Sequence, residues 1–333
     1  MGTGPVGATP VISTRGLAKT YPARRGVGPV EAVRGVDLQV AAGEIVGFLG
    51  PNGAGKTTTL RMLTTLLDPT AGEATVNGFD LRRDAVSVRR TIGYVGQAGS
   101  SYPEAIVLEE IVDHARLYGI DKRAATASAL ALFDKLDLEG LDRRQVRSLS
   151  GGQRRRLDIA MGLVHQPPLV FLDEPTTGLD PQARANLWEH IRGLRSALGT
   201  TVFLTTHYLD EADSLCDRVL VIDNGRIVAE GSPDELKHRV SGDAVVLTLA
   251  DEAQATGAAD VAGGLPGSGE LAVDGAIVRM RVPDGGRAIP TLVHELDARG
   301  IVLEEVEVHR PTLDDVFLSL TGRSLRDQVE SAA

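Results

Sequence analysis

GPNGAGKTT, Gly50 to Thr58, stands between the apolar runs EIVGFL (Glu44 to Leu49) and LRMLTTLL (Leu60 to Leu67), and the fold turns on its reading. The first flank is short, apolar and partly β-branched, as a buried strand requires. From Thr59 to Leu67 apolar residues recur at helical spacing, so the glycines fall on a strand-to-helix turn. Gly50, Gly55, Lys56 and Thr57 satisfy G-x-x-x-x-G-K-[ST], with Gly53 between them, and this context makes the stretch a phosphate loop.

The physics of such a loop is direct. Glycines let the backbone take positive φ and approach a ligand closely. The N–H groups from Gly50 through Pro51, Asn52, Gly53, Ala54, Gly55, Lys56, Thr57 and Thr58, proline excepted, then form an anion cradle at a helix N-terminus. Lys56 would reach β- and γ-phosphates, and the Thr57 hydroxyl would hold Mg²⁺. A nucleoside triphosphate with Mg²⁺ is therefore expected, and the resemblance described below implies that it is ATP.

A chain of 333 residues exceeds one ordinary domain, and 42% hydrophobic content supports a packed core. The net charge of −10 disfavours non-specific nucleic-acid binding, so no nucleic-acid partner is expected. That charge is concentrated at one end. Residues 241–333 carry 16 acids against 7 bases, whereas the first 240 carry 29 against 28. The asymmetry marks the last third as a separate unit. The single cysteine, Cys216, excludes an intramolecular disulfide and reads as a buried thiol in a helical pattern. MGTGPVGATP has neither a basic region nor an apolar core, so no signal peptide is expected. No apolar run approaches the roughly 18–20 residues that span a bilayer, and any membrane role would come through a partner. Arginine outnumbers lysine and alanine is abundant, a bias that fits a GC-rich bacterial genome.

Along the chain, residues 1–10 read as disordered, and VISTRGLAKTYPA as a strand ending near Tyr21. A turn from Pro22 to Pro29 precedes a second strand, EAVRGVDLQV. Tyr21 thus lies a hairpin's length before the phosphate loop; alone it reads as a packing residue, beside a nucleotide as a stacking one. TIGYVGQ reads as a strand ending in Gln97, followed by a mostly helical segment to about Leu138. Ser150, Gly151 and Gly152 open the next helix, and LVFLDE is an apolar strand ending in Asp173 and Glu174. A helix (QARANLWEHIRGLRSALG), a strand (TTVFLTTH) and a helix from Leu209 follow. Asn224-Gly225 marks a hairpin, and Ser232 caps the last helix of the first domain. Such alternation predicts a mostly parallel, helix-covered sheet with chemistry at the strands' carboxyl ends. Beyond it, Asp243–Ala250, Ala276–Val282 and Val302–Val308 read as strands. Helices are expected near Arg287–Arg299 and at TLDDVFLSLTG, and the glycine-rich Thr256–Glu270 reads as a mobile loop.

LSGGQ, Leu149 to Gln153, completes a set. GPNGAGKT, LSGGQ, LVFLDEP and LTTH occur in the order of the ATP-binding cassette (ABC) transporter ATPases, and the chain resembles that family over roughly residues 11–235. The resemblance implies an α/β, P-loop NTPase cassette with a RecA-like core and a helical lobe (about 98–160), within a nucleotide-binding domain spanning 11–240. A small α+β accessory domain (241–322) and a tail (323–333) would follow.

By the same resemblance Glu174 is the general base, Asp173 holds the Mg²⁺ shell, Gln97 contacts Mg²⁺ and the attacking water, and His207 is the switch histidine. Tyr21 becomes the adenine-stacking aromatic. Asp180 matches the acid that crosses to a partner cassette. Ser150, Gly151, Gly152 and Gln153 face the γ-phosphate held by a second cassette, which implies a head-to-tail homodimer sandwiching two ATPs. A finer resemblance, carried by LRMLTTLLDPTAGEATVNGFD, SGGQRRRLDIAMGLV, LTTHYLDEAD, RIVAEGSPDELK and PTLDDVFLSLTG, is to bacterial exporter ATPases of the daunorubicin/doxorubicin-resistance type. It implies ATP-driven efflux of an anthracycline-type compound through a separate integral-membrane permease, from the cytoplasmic face of a bacterial membrane. The permease would handle the transported small molecule. The alternatives are an importer ATPase with a C-terminal regulatory domain, or a soluble cassette protein outside transport.

Overall fold

The computed structural model describes residues 9–23, 28–240 and 242–322. The disordered N-terminus is expected mainly where nothing is described; the 323–333 tail and part of the Pro22–Pro29 turn also lie outside the described residues. The chain divides into two compact units, with the division between Pro233 and Asp234.

The first unit opens with β1 (Ile12–Tyr21), β2 (Val30–Val40) and β3 (Ile45–Leu49), then α1 (Lys56–Leu63). β4 (Ala71–Val76), β5 (Phe79–Asp80), α2 (Ala85–Thr91) and β6 (Ile92–Val95) follow. A helical stretch holds α3 (Val107–Leu117), α4 (Lys122–Lys135) and α5 (Gly151–Leu163). The chain then returns to the sheet through β7 (Leu169–Asp173), α6 (Pro181–Leu198), β8 (Thr201–Thr206) and α7 (Leu209–Leu215). It closes with β9 (Arg218–Asp223) and β10 (Arg226–Gly231), leading into α8 (Pro233–His238).

The principal sheet has the order β10-β9-β3-β8-β7-β6, and every pairing is parallel except that of β10 with β9. β3, β7 and β8 are buried along their whole length, the continuous apolar pattern of strands covered on both faces. Phe203 on β8 lies 5.7 Å, centroid to centroid, from both Phe48 on β3 and Phe171 on β7. The β9–β10 hairpin turns at Asn224 (φ 47°) and Gly225 (φ 77°), where both central residues need positive φ. A second, antiparallel sheet, β2-β1-β4-β5, adds to the parallel sheet that the alternation predicted. Its Ile12, Val36 and Val76 share one core with Phe48, Leu60 and Phe203.

Three boundaries move. α1 begins at Lys56 rather than Thr59 and stops at Leu63, because Thr65 turns left-handed (φ 61°). β6 ends at Val95, so Gln97 lies beyond the strand in the loop that follows. α5 runs past residue 160 to Leu163, carried by the buried stripe through Leu157, Ala160 and Leu163.

The second unit is an antiparallel sheet, β12-β13-β11-β14, made of β11 (Asp243–Leu249), β12 (Gly269–Asp274), β13 (Ile277–Val282) and β14 (Leu303–His309). Helices α9 (Ala255–Gly263) and α10 (Gly285–Ala298) pack in its core, and α11 (Leu313–Thr321) ends the unit. Here one expectation fails: Thr256–Glu270 is not a loop. Most of it forms α9, whose Ala258, Ala259, Val261 and Ala262 are buried against Val245, Leu247, Val278 and Met280. Small side chains at helical spacing let the helix lie close to the sheet, and tertiary packing overrides the glycines' low helix propensity. Among the described residues no helix is long and apolar enough to cross a membrane.

Candidate active site

Parallel strands end on the same edge of a sheet, so the residues just past β3, β6, β7 and β8 are brought together. Past β3 comes the phosphate loop. A Cβ on Gly50 would meet the Ile222 carbonyl oxygen at 2.3 Å, so no larger residue fits there. Gly55 caps α1 with φ 107°, and a Cβ there would stand 2.5 Å from the Ala32 oxygen. Lys56 is 4% exposed; its ammonium donates to the carbonyls of Gly50 (2.7 Å) and Pro51 (3.1 Å). It also lies 3.6 Å from Glu174 Oε1. Burial lowers the Lys56 pKa, and the neighbouring Glu174 and Asp173 charges oppose that shift.

Glu174 stands at the centre. The strand β7 ends at Asp173, and Glu174 itself takes a left-handed conformation (φ 45°), uncommon for a residue with a side chain and a local cost. The turn aims its carboxylate into a ring of polar groups. Gln97 Nε2 donates to Oε2 at 3.0 Å and Thr177 Oγ1 to the same oxygen at 3.2 Å. His207 Nδ1 is 3.3 Å from Oε1, off the line of a well-aligned hydrogen bond. Burial pushes the Glu174 carboxyl up, but His207 and Lys56 outweigh it and hold the carboxyl below the ordinary carboxylate value. The group is thus kept ionised and acceptor-ready.

Asp173 Oδ1 accepts from Thr57 Oγ1 at 3.2 Å and from Thr205 Oγ1 at 2.7 Å. A hydroxyl and a carboxylate oxygen therefore converge beside the phosphate loop, hard-oxygen donors of the kind Mg²⁺ takes. Gln97 joins the group through its Nε2 bond to Glu174.

Gln97, Lys56, Thr57, Asp173, Glu174 and His207 are thus gathered into one site. Outside the phosphate loop, the other sequence-predicted residues have partners of their own. Ser150 caps α5 in a reciprocal box with Gln153: the Ser150 N–H donates to Gln153 Oε1 (3.0 Å) and the Gln153 N–H to Ser150 Oγ (3.3 Å). Gly151 and Gly152 follow in the first turn, close to Leu179 and Ala183. Asp180 caps α6 by accepting from the Ala183 N–H at 2.8 Å. Tyr21 ends β1 with the Lys19 ammonium 5.6 Å from its ring centroid.

Three supporting residues escaped the sequence reading. Thr205 takes the Glu174 N–H at 3.0 Å while donating to Asp173, so one hydroxyl orients both acids. Arg155 is buried beneath the Asp173–Pro175 backbone. Glu211, fully buried, accepts from Trp188 Nε1 at 3.2 Å, and burial raises its pKa. Thr205 sat visibly two residues before His207 in LTTH; Arg155 and Glu211 lay within the charged runs QRRRLD and LDEAD, where nothing local tells which side chain turns inward. A cleft of about 920 Å³ lies in the second unit, lined by both acids and bases, among them Asp243, Glu270, Arg281 and Arg310. It holds none of the residues gathered at the sheet edge.

Known families match both units of the chain. The ABC transporter family model matches residues 33–177, and a model for the C-terminal domain of DrrA1-3-like ATP-binding proteins matches 231–321. The daunorubicin resistance ATP-binding protein DrrA3 of Streptomyces coeruleorubidus is 43% identical over 320 residues, 96% of this chain and 98% of that relative. The Nod factor export ATP-binding protein I of Ralstonia nicotianae is 39% identical, covering 97% of both chains. Among solved structures, the dimeric bacterial ABC transporter cassette MJ0796 superposes with a TM-score of 0.60 at 27% identity, over 66% of this chain and 98% of that one. A post-hydrolysis form of the same cassette, bound to ADP and phosphate, superposes equally well. ATP-binding subunits of this kind form cassette dimers and work with membrane permeases. The chain belongs to the ABC transporter ATP-binding subunits, in the group of the daunorubicin- and doxorubicin-resistance proteins, and it is an ATPase.

Proposed function

We propose that this chain drives ATP-dependent export of an anthracycline-type compound through a separate permease at the cytoplasmic face of a bacterial membrane. The observation that carries the catalytic part is the Gln97–Glu174 contact of 3.0 Å beside Lys56 and the phosphate loop. The export part rests on relatives named for daunorubicin resistance, doxorubicin resistance and Nod factor export. Residues 11–240 form the nucleotide-binding domain in this reading, and 241–322 an accessory domain that supports pairing of the cassettes.

ATP enters with its phosphates in the cradle from Gly50 to Thr58 and its adenine against Tyr21. Lys56 neutralises the β- and γ-phosphate oxygens. Thr57, Asp173 and Gln97 would hold Mg²⁺, which when bound supplies charge neutralisation to the phosphates. Glu174 accepts the proton of the attacking water, whose oxygen bonds to the γ-phosphorus as the bridging bond to the β-phosphate breaks. Gln97 orients that water, and His207 donates a hydrogen bond to the γ-phosphate. Ser150, Gly151, Gly152 and Gln153 open α5, where Ser150 and Gly151 are exposed and a helix N-terminus favours an anion. They close over the γ-phosphate of a second copy, head to tail, with Asp180 crossing beside them.

The test is disulfide trapping between protomers. Cys216 is buried and stays silent, so cysteines at Asn52 and Ser150 report alone. Cross-linking of one protomer's position 52 to the other's position 150, promoted by ATP in a Glu174→Gln background, is expected. Cross-links that ignore ATP, or that join 150 to 150, contradict the sandwich.

A further inference from the structure

The helix that starts at Ser150 does more than present its own N-terminus. Within its first turns, Arg154, Arg155 and Asp158 grip the chain on both sides of Gln97. Arg155 is 8% exposed, and its guanidinium donates to the carbonyl oxygens of Gly96 (2.7 Å), Pro175 (2.7 Å) and Asp173 (3.1 Å), with Glu174 O at 3.5 Å. Asp158, 4% exposed, accepts from the N–H groups of Ser100 and Ser101, each at 3.1 Å. Arg154 donates to the Ser101 carbonyl at 3.0 Å. Between these anchors the loop passes so close to α5 that a Cβ on Gly99 (φ 74°) would stand 2.6 Å from Asp158 Oδ2.

The pattern is specific to arginine. A planar guanidinium presents several N–H groups in a fixed fork and can satisfy carbonyls on two separate segments at once; an ammonium cannot span them. Burying a cation costs free energy, which these carbonyl contacts offset only while all are made. One segment precedes Gln97 and the other carries Glu174, and those two side chains bond to each other. Arg155 is the backbone anchor common to both.

We infer that Arg155 is a positioning residue that locks the Ser150-bearing helix to the Gln97–Glu174 pair, so that α5 and the water-activating carboxylate move as one body. The inference rests on the roles proposed above for Gln97 and Glu174. Its consequence is cross-site coupling. A nucleotide of the partner cassette, seated against Ser150, would set the geometry of this chain's own Glu174 through a short, buried bridge rather than through a general domain motion.

The experiment compares Arg155→Lys, Gln97→Ala and the double variant in the full chain, with phosphate release for turnover and ADP titration for binding. Arg155→Lys is expected to keep ADP affinity within about threefold while kcat falls on the order of 10²-fold, the scale of a small misplacement at a reacting centre. Adding Gln97→Ala to Arg155→Lys should cost little more, since both act through one arrangement. Arg156→Gln, on the same helix but bonded to Asn186 instead, should leave kcat near wild type. If Arg155→Lys does not fold, Asp158→Asn decides: it should lower kcat with ADP affinity unchanged. Wild-type kcat in the folded variant, or fully additive losses with Gln97→Ala, overturns the inference. Wild-type turnover in Gln97→Ala and Glu174→Gln removes the catalytic reading and the inference with it, whereas losses there alone remove only the role of Arg155.

Discussion

Gln97 Nε2 donates to Glu174 Oε2 across 3.0 Å, joining residues 77 positions apart that leave the sheet from two neighbouring strands, β6 and β7. The bond fixes one oxygen of the carboxylate while the other faces Lys56 and His207. In the proposed role of general base such a carboxylate has one direction in which to work, and removing its charge should cut turnover while sparing the fold.

Glu174→Gln keeps the shape and loses the base. Hydrolysis is expected to fall by ~10²–10⁴-fold, the usual contribution of a positioned base. ATP binding should persist and the closed dimer accumulate. Phosphate release and light scattering with and without ATP read both effects, and near-normal turnover would remove Glu174 from the role.

Lys56→Ala takes the cation from the cradle. ATP affinity is expected to drop roughly 10–100-fold, in keeping with the loss of a charge-assisted contact. Calorimetric titration measures this directly. Unchanged affinity would count against the phosphate-loop assignment.

The Glu174 carboxyl is held below its ordinary value of 4.5 by His207 and Lys56 against the upward push of burial. A carboxylate depressed in the folded state adds stability that is full above its unfolded pKa and lost as pH falls through the folded one. The stability difference between wild type and Glu174→Gln should therefore be flat with respect to this carboxylate above pH 4.5 and change below it. Urea melts of both proteins through the acid range check the sign, and a carboxylate step well above that value would mean the group is not depressed.

Phe203 bridges Phe48 and Phe171 in the middle of the parallel sheet and is fully buried. Phe203→Ala should cost about 3–5 kcal/mol, combining lost transfer energy with a cavity that three packed strands cannot close. Denaturant titration of the full chain gives the value. A cost under about 1 kcal/mol would mean the core repacks.

Truncation after Val240 removes most of the second unit. Nucleotide binding should survive, because every residue of the cradle lies before Pro233, while dimerisation or coupling to the permease weakens. Analytical ultracentrifugation with ATP and ADP titration separate the two, and a folded truncation that no longer binds nucleotide contradicts this division of labour.

Much of this arrangement was legible in the sequence because strand-to-loop transitions carry their own signals. Gly50 to Thr58 declares its turn through glycines that the backbone needs, and β7 and β8 announce themselves as unbroken apolar runs ending in polar residues. Parallel pairing then gathers their ends without further information. The antiparallel sheet, the helix α9 and the grip of Arg155 were less visible for one shared reason. Each is decided by long-range contacts: the pairing of Ile12 with Val76, the docking of alanines on Val278, and a guanidinium reaching carbonyls 59 residues away at Gly96. Local propensity at Thr256–Glu270 pointed to a loop because glycine outweighs alanine until a sheet is there to pack against. Arg155, within a run of three arginines, gave no sign of which one turns inward.

The most direct test is doxorubicin accumulation in a drug-sensitive bacterium that expresses this chain together with a candidate partner permease, comparing wild type with Glu174→Gln. The account predicts lower drug accumulation with wild type alone. Equal accumulation in both strains, with each subunit verified in the membrane fraction, would contradict export of an anthracycline powered by this site.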